Sequence, residues 1–370
     1  MTAFVLVFAP VFTALFGLLF SAVIGLRPPT LPLSVRVPQS HIDDPVVLRA
    51  IRRFRWGLVL VWVVTAAVTA ALALGGAAPL ATALPVLLYA ALAILDLVLS
   101  RRAIIRAKRD GGWFEGVPVR VSAQLTTPAY RHPPLIWPAL AAIVLAVATA
   151  VDVALYPGLP DPIAVHFNAA GDPDRFAAKS VWSVFGILMI GAAVVVLLMV
   201  ISVFAARYAA RTQTDDTAAQ ATLRTQVQRT LLTSMLSELA FVVALGISAI
   251  ELAQRLLPDA RWSVAACGIG LAVLVMVVVI GNVARARVQL RPANVRDPEH
   301  ARPDAVDDDQ HWKGGLLYVN RDDPAVLVPR RFGLGWTFNL GRPGGIAITI
   351  LLLVLIAAIV TSVILLAHGR

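Results

Sequence analysis

"VWSVFGILMIGAAVVVLLMVISVF", residues 181–204, runs from Val181 to Phe204 without a single charged side chain or proline. As a helix it would measure about 36 Å, enough to cross a hydrocarbon core of about 30 Å. Nothing in a soluble domain requires an uninterrupted apolar run of that length. Seven further stretches of similar character lie on either side, at approximately 4–26, 56–75, 79–99, 135–155, 231–252, 263–284 and 345–367. The whole chain of 370 residues is 58% hydrophobic and 15% charged, with a mean hydropathy of +0.78. The expected fold class is therefore all-α: a polytopic membrane protein of about eight helices, with a short β-like outer loop and a small cytoplasmic β-hairpin-like segment. The first segment lacks a basic leader region, so it is read as a retained helix.

The net charge of +10 raises the question of nucleic acid, and the placement of the charges answers it. Of 32 Lys and Arg residues, 27 fall in alternate connections (27–55, 100–134, 205–230 and 285–344) and five fall in the others and the C-terminal tail. Basic loops stay in the cytoplasm. Both termini are then expected outside, the basic excess faces the cytoplasm and anionic lipid, and nucleic acid is not an expected partner. The pairs Gly75–Gly76 and Gly111–Gly112 read as turns, since no complete phosphate-binding loop or dinucleotide fingerprint surrounds them. Cys267 stands alone and can form no intrachain disulfide.

The expected organisation is a three-helix region with basic loops (1–134), a helix–outer loop–helix unit (135–204), a two-helix region (205–284), a flexible linker (285–311), a small interfacial domain (312–343) and a last helix (344–370). The outer loop, "LPDPIAVHFNAAGDPD" at 159–174, is the most polar stretch between two spans on that side. Alternation should place Ile163, Val165 and Phe167 on one face and His166 and Asn168 on the other. "NAAGDPD" is turn chemistry, and Ser180 is placed to cap the next helix. The candidate ligand-binding set is Asp161, His166, Asn168, Gly171, Asp172, Asp174 and Lys179, set against the plainer reading that these groups brace the loop. One histidine without a second at ligand spacing does not make a metal site, and no metal or cofactor is expected.

Four ionisable residues fall within spans, where such groups are functional candidates by default: Asp96, Asp152, Glu238 and Glu251. Asp152 and Glu251 lie near outer ends, within reach of head-group water. Asp96 is close to "SRR" at 100–102, which offers partners. Glu238, with Ser234 and Ser237 nearby, would be the coupling carboxylate of a proton-coupled transporter, or would pair with an Arg at the inner interface.

In the largest inner connection, "LLYV" (316–319) and "AVLVP" (325–329) are strand-like and flank the turn "NRDD". Arg330 and Arg331 beside Phe332, Trp336 and Phe338 suit an interfacial anchor. Trp312, Lys313, Tyr318, Asn320, Asp322, Asp323, Arg330, Arg331, Trp336 and Asn339 form a candidate docking surface for a cytoplasmic regulatory protein, with a stabilising lid on the membrane as the plainer reading.

Two resemblances bear on these stretches. Leu159, Pro160, Pro162, His166, Asn168, Gly171, Pro173, Asp174 and Lys179 resemble the outer-loop signature of SdpI-like bacterial membrane proteins, over about fifty residues. The second signature of that family is matched only at Arg36 and Pro38. Trp312 to Asn339, with Asp322–Pro324 and Val328–Gly333, resembles a second small domain of unknown function that precedes a last helix. The SdpI-like resemblance implies immunity or signalling against a secreted peptide at the bacterial cell membrane, without catalysis. Two alternatives stand beside it: the Glu238 transporter, and a membrane enzyme with His166 as an outer acid–base group. No Ser-His-Asp order or Cys/His cluster favours the enzyme.

Reporter fusions after residues 120, 170, 218, 258 and 310 should alternate inside, outside, inside, outside, inside. A cytoplasmic report at 170 would overturn the orientation.

Overall fold

The computed structural model describes residues 28–115, 133–167, 173–208, 218–257, 262–292, 307–331 and 336–368, with Ala260 and scattered positions of a helical run between 6 and 26. Long helices dominate: α1 (Pro45–Leu74), α2 (Ala78–Asp110), α3 (Ile136–Leu155), α4 (Val181–Tyr208), α5 (Ala218–Leu256), α6 (Trp262–Gln289) and α7 (Pro343–His368). Among the described residues, α1 to α6 each contain a stretch long and apolar enough to cross a membrane, and α7 is also apolar. Most of the first expected span lies outside the described residues.

Several helices run past the expected spans, chiefly at the basic end, although α5 also continues at the other end, to Leu256. α1 begins at Pro45, α2 continues to Asp110, α5 starts at Ala218 and α6 ends at Gln289. An apolar stretch ends at the first charges, but Arg, Lys, Ala and Leu are good helix formers and carry the helix onward. Local chemistry sets the ends. The Asp44 side chain accepts from the Val46 N–H at 2.7 Å with Pro45 in the first turn. Gly76 (φ +82°) and Gly112 (φ +57°) supply the left-handed positions that end α1 and α2, as the glycine pairs predicted.

α1 and α2 pack as a pair. Val47, Ala50, Phe54, Leu58 and Val61 recur at helical spacing and meet Tyr89, Ala93, Leu97 and Ile104. The extended segment before α1 adds Leu33, Val35 and Val37 to the same core. α3 to α6 form a second group in which α5 touches α3, α4 and α6. The α3–α5 seam is lined with small residues, Ala141 and Ala148 against Ala240 and Ala244, which lets the helices approach closely. The N-terminal run spans both groups. Phe16 and Phe20 pack on the α1–α2 core, and Leu26 is buried among Val227 and Leu231 of α5 and Val283 and Ala286 of α6.

Short strands form three antiparallel pairs: β1 (Ile163–Phe167) with β2 (Pro173–Ala177), β3 (Trp312–Lys313) with β4 (Leu317–Tyr318), and β5 (Leu327–Pro329) with β6 (Trp336–Phe338). The strand-like stretches about "NRDD" do become β4 and β5, but each pairs elsewhere, and a bridge from Tyr318 to Asn339 joins the two sheets. Asn339 explains this. Fully buried, its amide nitrogen donates to the carbonyls of Asn320 (2.8 Å), Asp323 (3.2 Å) and Ala325 (3.0 Å). Its oxygen accepts from the N–H groups of Asn320 (3.0 Å) and Gly341 (2.9 Å). One side chain thereby satisfies three carbonyls and one N–H of the 320–325 turn and ties it to the entry of α7. Trp312, Tyr318, Ala325 and Val328 fill the small core beside it.

Asn339→Ala leaves several buried backbone groups without partners, so the 312–342 unit should lose on the order of 3 kcal/mol. Hydrogen–deuterium exchange at residues 318–326 should rise sharply while that of α1 and α2 holds. Unchanged exchange would remove Asn339 from its organising role.

Candidate functional site

The β1–β2 hairpin stands on the ends of α3 and α4. The register pairs Ile163 with Ala177, Ala164 with Phe176, His166 with Arg175 and Phe167 with Pro173, with irregularities on both sides of His166. Those irregularities break the expected alternation. Ile163 is buried, whereas Val165 is 41% exposed. Asp161 and Lys179 close the base: the Lys179 N–H donates to Asp161 Oδ1 (3.0 Å) and Lys179 Nζ donates to the Leu159 carbonyl (3.0 Å). The ammonium also lies 5.5 Å over the ring of Tyr156, which stacks on Phe185 at 6.0 Å. Ser180 caps α4 as expected, in reciprocal bonds with Ser183. Asp174 is exposed on β2. His166 sits on β1 opposite Arg175, whereas Asn168, Gly171 and Asp172 lie outside the described residues.

Beneath the hairpin the structure corrects the reading of Asp152 and Glu251. They do not reach head-group water. Asp152 is completely buried, Glu251 is 2% exposed, and both face Arg255 of α5. Arg255 Nη2 lies 2.6 Å from Glu251 Oε1, and its Nε lies 3.6 Å from Asp152 Oδ1. The Glu251–Arg255 spacing of four residues along a helix was a legible signal, hidden by assigning Arg255 to a loop.

The other two intramembrane carboxylates have local partners. Glu238 accepts from Asn282 Nδ2 of α6 at 2.7 Å and lies 3.5 Å from Arg285 Nη1, tying α5 to α6. Asp96 accepts from Ser100 at 3.5 Å and rests directly on Gly57 of α1, where any larger residue would collide with it. Arg101, expected as a partner for Asp96, turns away to the carbonyls of Leu33 (3.0 Å) and Ser34 (3.4 Å).

That turn leads to the densest polar cluster, at the basic end. Leu33 and Ser34 adopt positive φ (47° and 65°), and the Ser34 carbonyl accepts from both Arg101 and Arg331. The run Asp307–Asp309 enters this cradle. Asp309 accepts from the Arg36 N–H (3.0 Å) and pairs with Lys108 and Arg331. Asp308 pairs with Arg331 and accepts from Trp312 Nε1 (3.4 Å), and Asp307 pairs with Lys108 at 2.8 Å. The Arg331 guanidinium lies 5.1 Å over the Trp312 ring. The last residues of the expected linker therefore belong to the small unit. Of the docking candidates, Trp312, Tyr318, Arg331 and Asn339 are buried within it. Asn320, Asp323 and Trp336 are half-buried, leaving Lys313, Asp322 and Arg330 exposed. Burial, followed by the charge of Asp323, pushes the Tyr318 hydroxyl up, although its bond from Asn320 opposes this.

Comparison with known proteins matches residues 143–192 to a domain of unknown function, DUF1648, and residues 321–346 to a family of unknown function, DUF5808. The first match spans the end of α3, the hairpin and the start of α4; the second spans the heart of the small unit and the entry of α7. No curated protein matches the chain, and no solved structure does. The fold and these two domains define a multi-pass membrane protein carrying domains of unknown function.

Burial alone would push the Asp309 carboxyl up, but Arg331, Lys108 and the Arg36 N–H together hold it below the ordinary carboxylate value. The folded state thus binds this proton less readily than the unfolded state does. The resulting stabilisation is complete above the ordinary value and is lost as pH falls through the lower folded one. Exchange in 307–331 should therefore rise below about pH 4, and Asp309→Asn should remove that acid step. An identical acid response in the variant would show that another group controls docking.

Proposed function

We propose that this chain is a non-enzymatic, SdpI-like sensing or immunity protein of the bacterial cell membrane, with both termini outside. The hairpin receives a secreted peptide or another sign of envelope stress. The small unit at the basic end answers toward a cytoplasmic regulatory partner.

The observation that supports this most directly is the mounting of the hairpin. Asp161, Lys179, Tyr156, Phe185 and the Ser180–Ser183 cap fix its base to α3 and α4, so force on the strands is delivered to helix ends. From there α5, a continuous helix of 39 residues and roughly 60 Å, reaches the opposite end. Asp161 and Lys179 serve as braces in this reading, leaving the strand position of His166 and the adjoining turn to the ligand. The transporter alternative rests on Glu238, whose carboxylate is engaged by Asn282 and Arg285.

The test separates bracing from binding. His166→Ala and Asn168→Ala should leave thermal stability within about 0.5 kcal/mol of wild type while abolishing protection of expressing cells against secreted peptide toxins. Lys179→Ala should lower stability as well. Full protection by both His166→Ala and Asn168→Ala, at wild-type stability, would reduce the hairpin to a connector. Uptake of solute or protons by liposomes carrying the protein would favour transport.

A further inference from the structure

Asp152, Glu251 and Arg255 meet at the end of the close-packed α3–α5 seam. Asp152 is fully buried and Glu251 nearly so, and only 7% of the Arg255 side chain is exposed. No hydrogen-bond donor among the described residues satisfies either oxygen of Asp152. The close contact between Arg255 and Glu251 is an ion pair without hydrogen-bond alignment at Oε1. Arg255 Nη2 also donates to the Val184 carbonyl of α4 at 3.4 Å. On the same face of α5, Ser248 is 2% exposed, and its Oγ has no partner among the described residues.

Charge counting makes this arrangement informative. One guanidinium balances one carboxylate. With both carboxyls ionised, the cluster would hold an uncompensated negative charge among apolar helices, where such a charge is costly even after relaxation. Two carboxyls sharing one site do not readily ionise together. A carboxylic acid, unlike a carboxylate, also donates a hydrogen bond, which is what the bare oxygens here lack.

We propose that Asp152 and Glu251 share one exchangeable proton, and that this proton-binding site controls how tightly α3 closes on α5 beneath the hairpin. Asp152 is the only ionisable group α3 contributes. α5 contributes Glu251 and Arg255, and α4 contributes the Val184 carbonyl. Lys179 lies one turn outward over Tyr156, already bonded to Leu159. Loss of the proton places a second negative charge on a single arginine and pushes α3 from α5. The stabilising effect of the shared proton is lost when the proton leaves. The site does not depend on what the hairpin receives.

The test uses the full-length protein in lipid nanodiscs. Infrared difference spectra of wild type at neutral pH should show the C=O stretch of a protonated carboxyl, and that band should disappear as pH is raised while the thermal midpoint falls. Asp152→Asn and Glu251→Gln should each abolish the band and flatten the pH dependence of the midpoint. Absence of the band from wild type overturns the proposal, and so does its survival in both variants. Should either variant fail to fold, the wild-type titration still decides. Recovery of alkaline stability by sodium but not by choline would overturn the assignment to a proton and make the site one for a metal cation.

Discussion

The Asp309 carboxylate joins segments that the sequence holds far apart. Arg36 precedes it by 273 residues and Lys108 by 201, while Arg331 follows by 22. Each of these cations would be expensive to bury alone, and so would the carboxylate. Together they form a cluster in which each of these charges has an opposite neighbour, and the Ser34 carbonyl accepts from Arg331 as well as from the adjoining Arg101. This explains why a unit with a core of four residues sits where it does. Its apolar core is too small to fix its place, and the matching of buried charge supplies what the core lacks.

The same constraint acts at the other end with an incomplete set. At the basic end, Arg36, Arg101, Lys108 and Arg331 meet three aspartates and several carbonyls. Beneath the hairpin, two carboxyls meet one arginine and one carbonyl. A cluster with spare donors is indifferent to the loss of any one proton. A cluster short of donors changes its charge when a single proton leaves. The two ends thus differ in kind: at the basic end the cations outnumber the carboxylates, and beneath the hairpin the carboxyls outnumber the cation.

Much of the architecture was legible because hydrocarbon imposes a simple rule on length and polarity, and residues 181–204 obey it without exception. Hydropathy failed where helices continued into charge, as in "RRAIIRAKRD" of α2, because the membrane limits polarity while helix propensity does not. Counting charges by loop gave a coherent topology but concealed Arg255, which is helical and points inward. The expected faces of the hairpin were lost to an irregularity around His166 that alternation cannot register. Asn339 could be seen as part of a pattern, but a pattern does not reveal that the amide makes five bonds to backbone. Four of the residues assigned to docking, Trp312, Tyr318, Arg331 and Asn339, are buried for reasons of this kind.

The packing also constrains how the two ends can communicate. The small unit rests on α2 and the segment before α1, whereas the hairpin rests on the ends of α3 and α4, which Arg255 of α5 engages from below. Leu26 inserts between Val227 and Leu231 of α5 and Val283 and Ala286 of α6, and a few residues later the chain reaches Ser34 and Arg36 in the basic-end cluster. A shift of α5 therefore has a contiguous mechanical route: from the proton-sensitive end, along a continuous helix, through Leu26, to the backbone that holds Asp309 and Arg331. Contiguity alone does not establish coupling, but it dictates where coupling must be sought. On the proposed reading, the residues that decide whether the hairpin informs the small unit are neither in the hairpin nor in the unit, but in the apolar contact around Leu26.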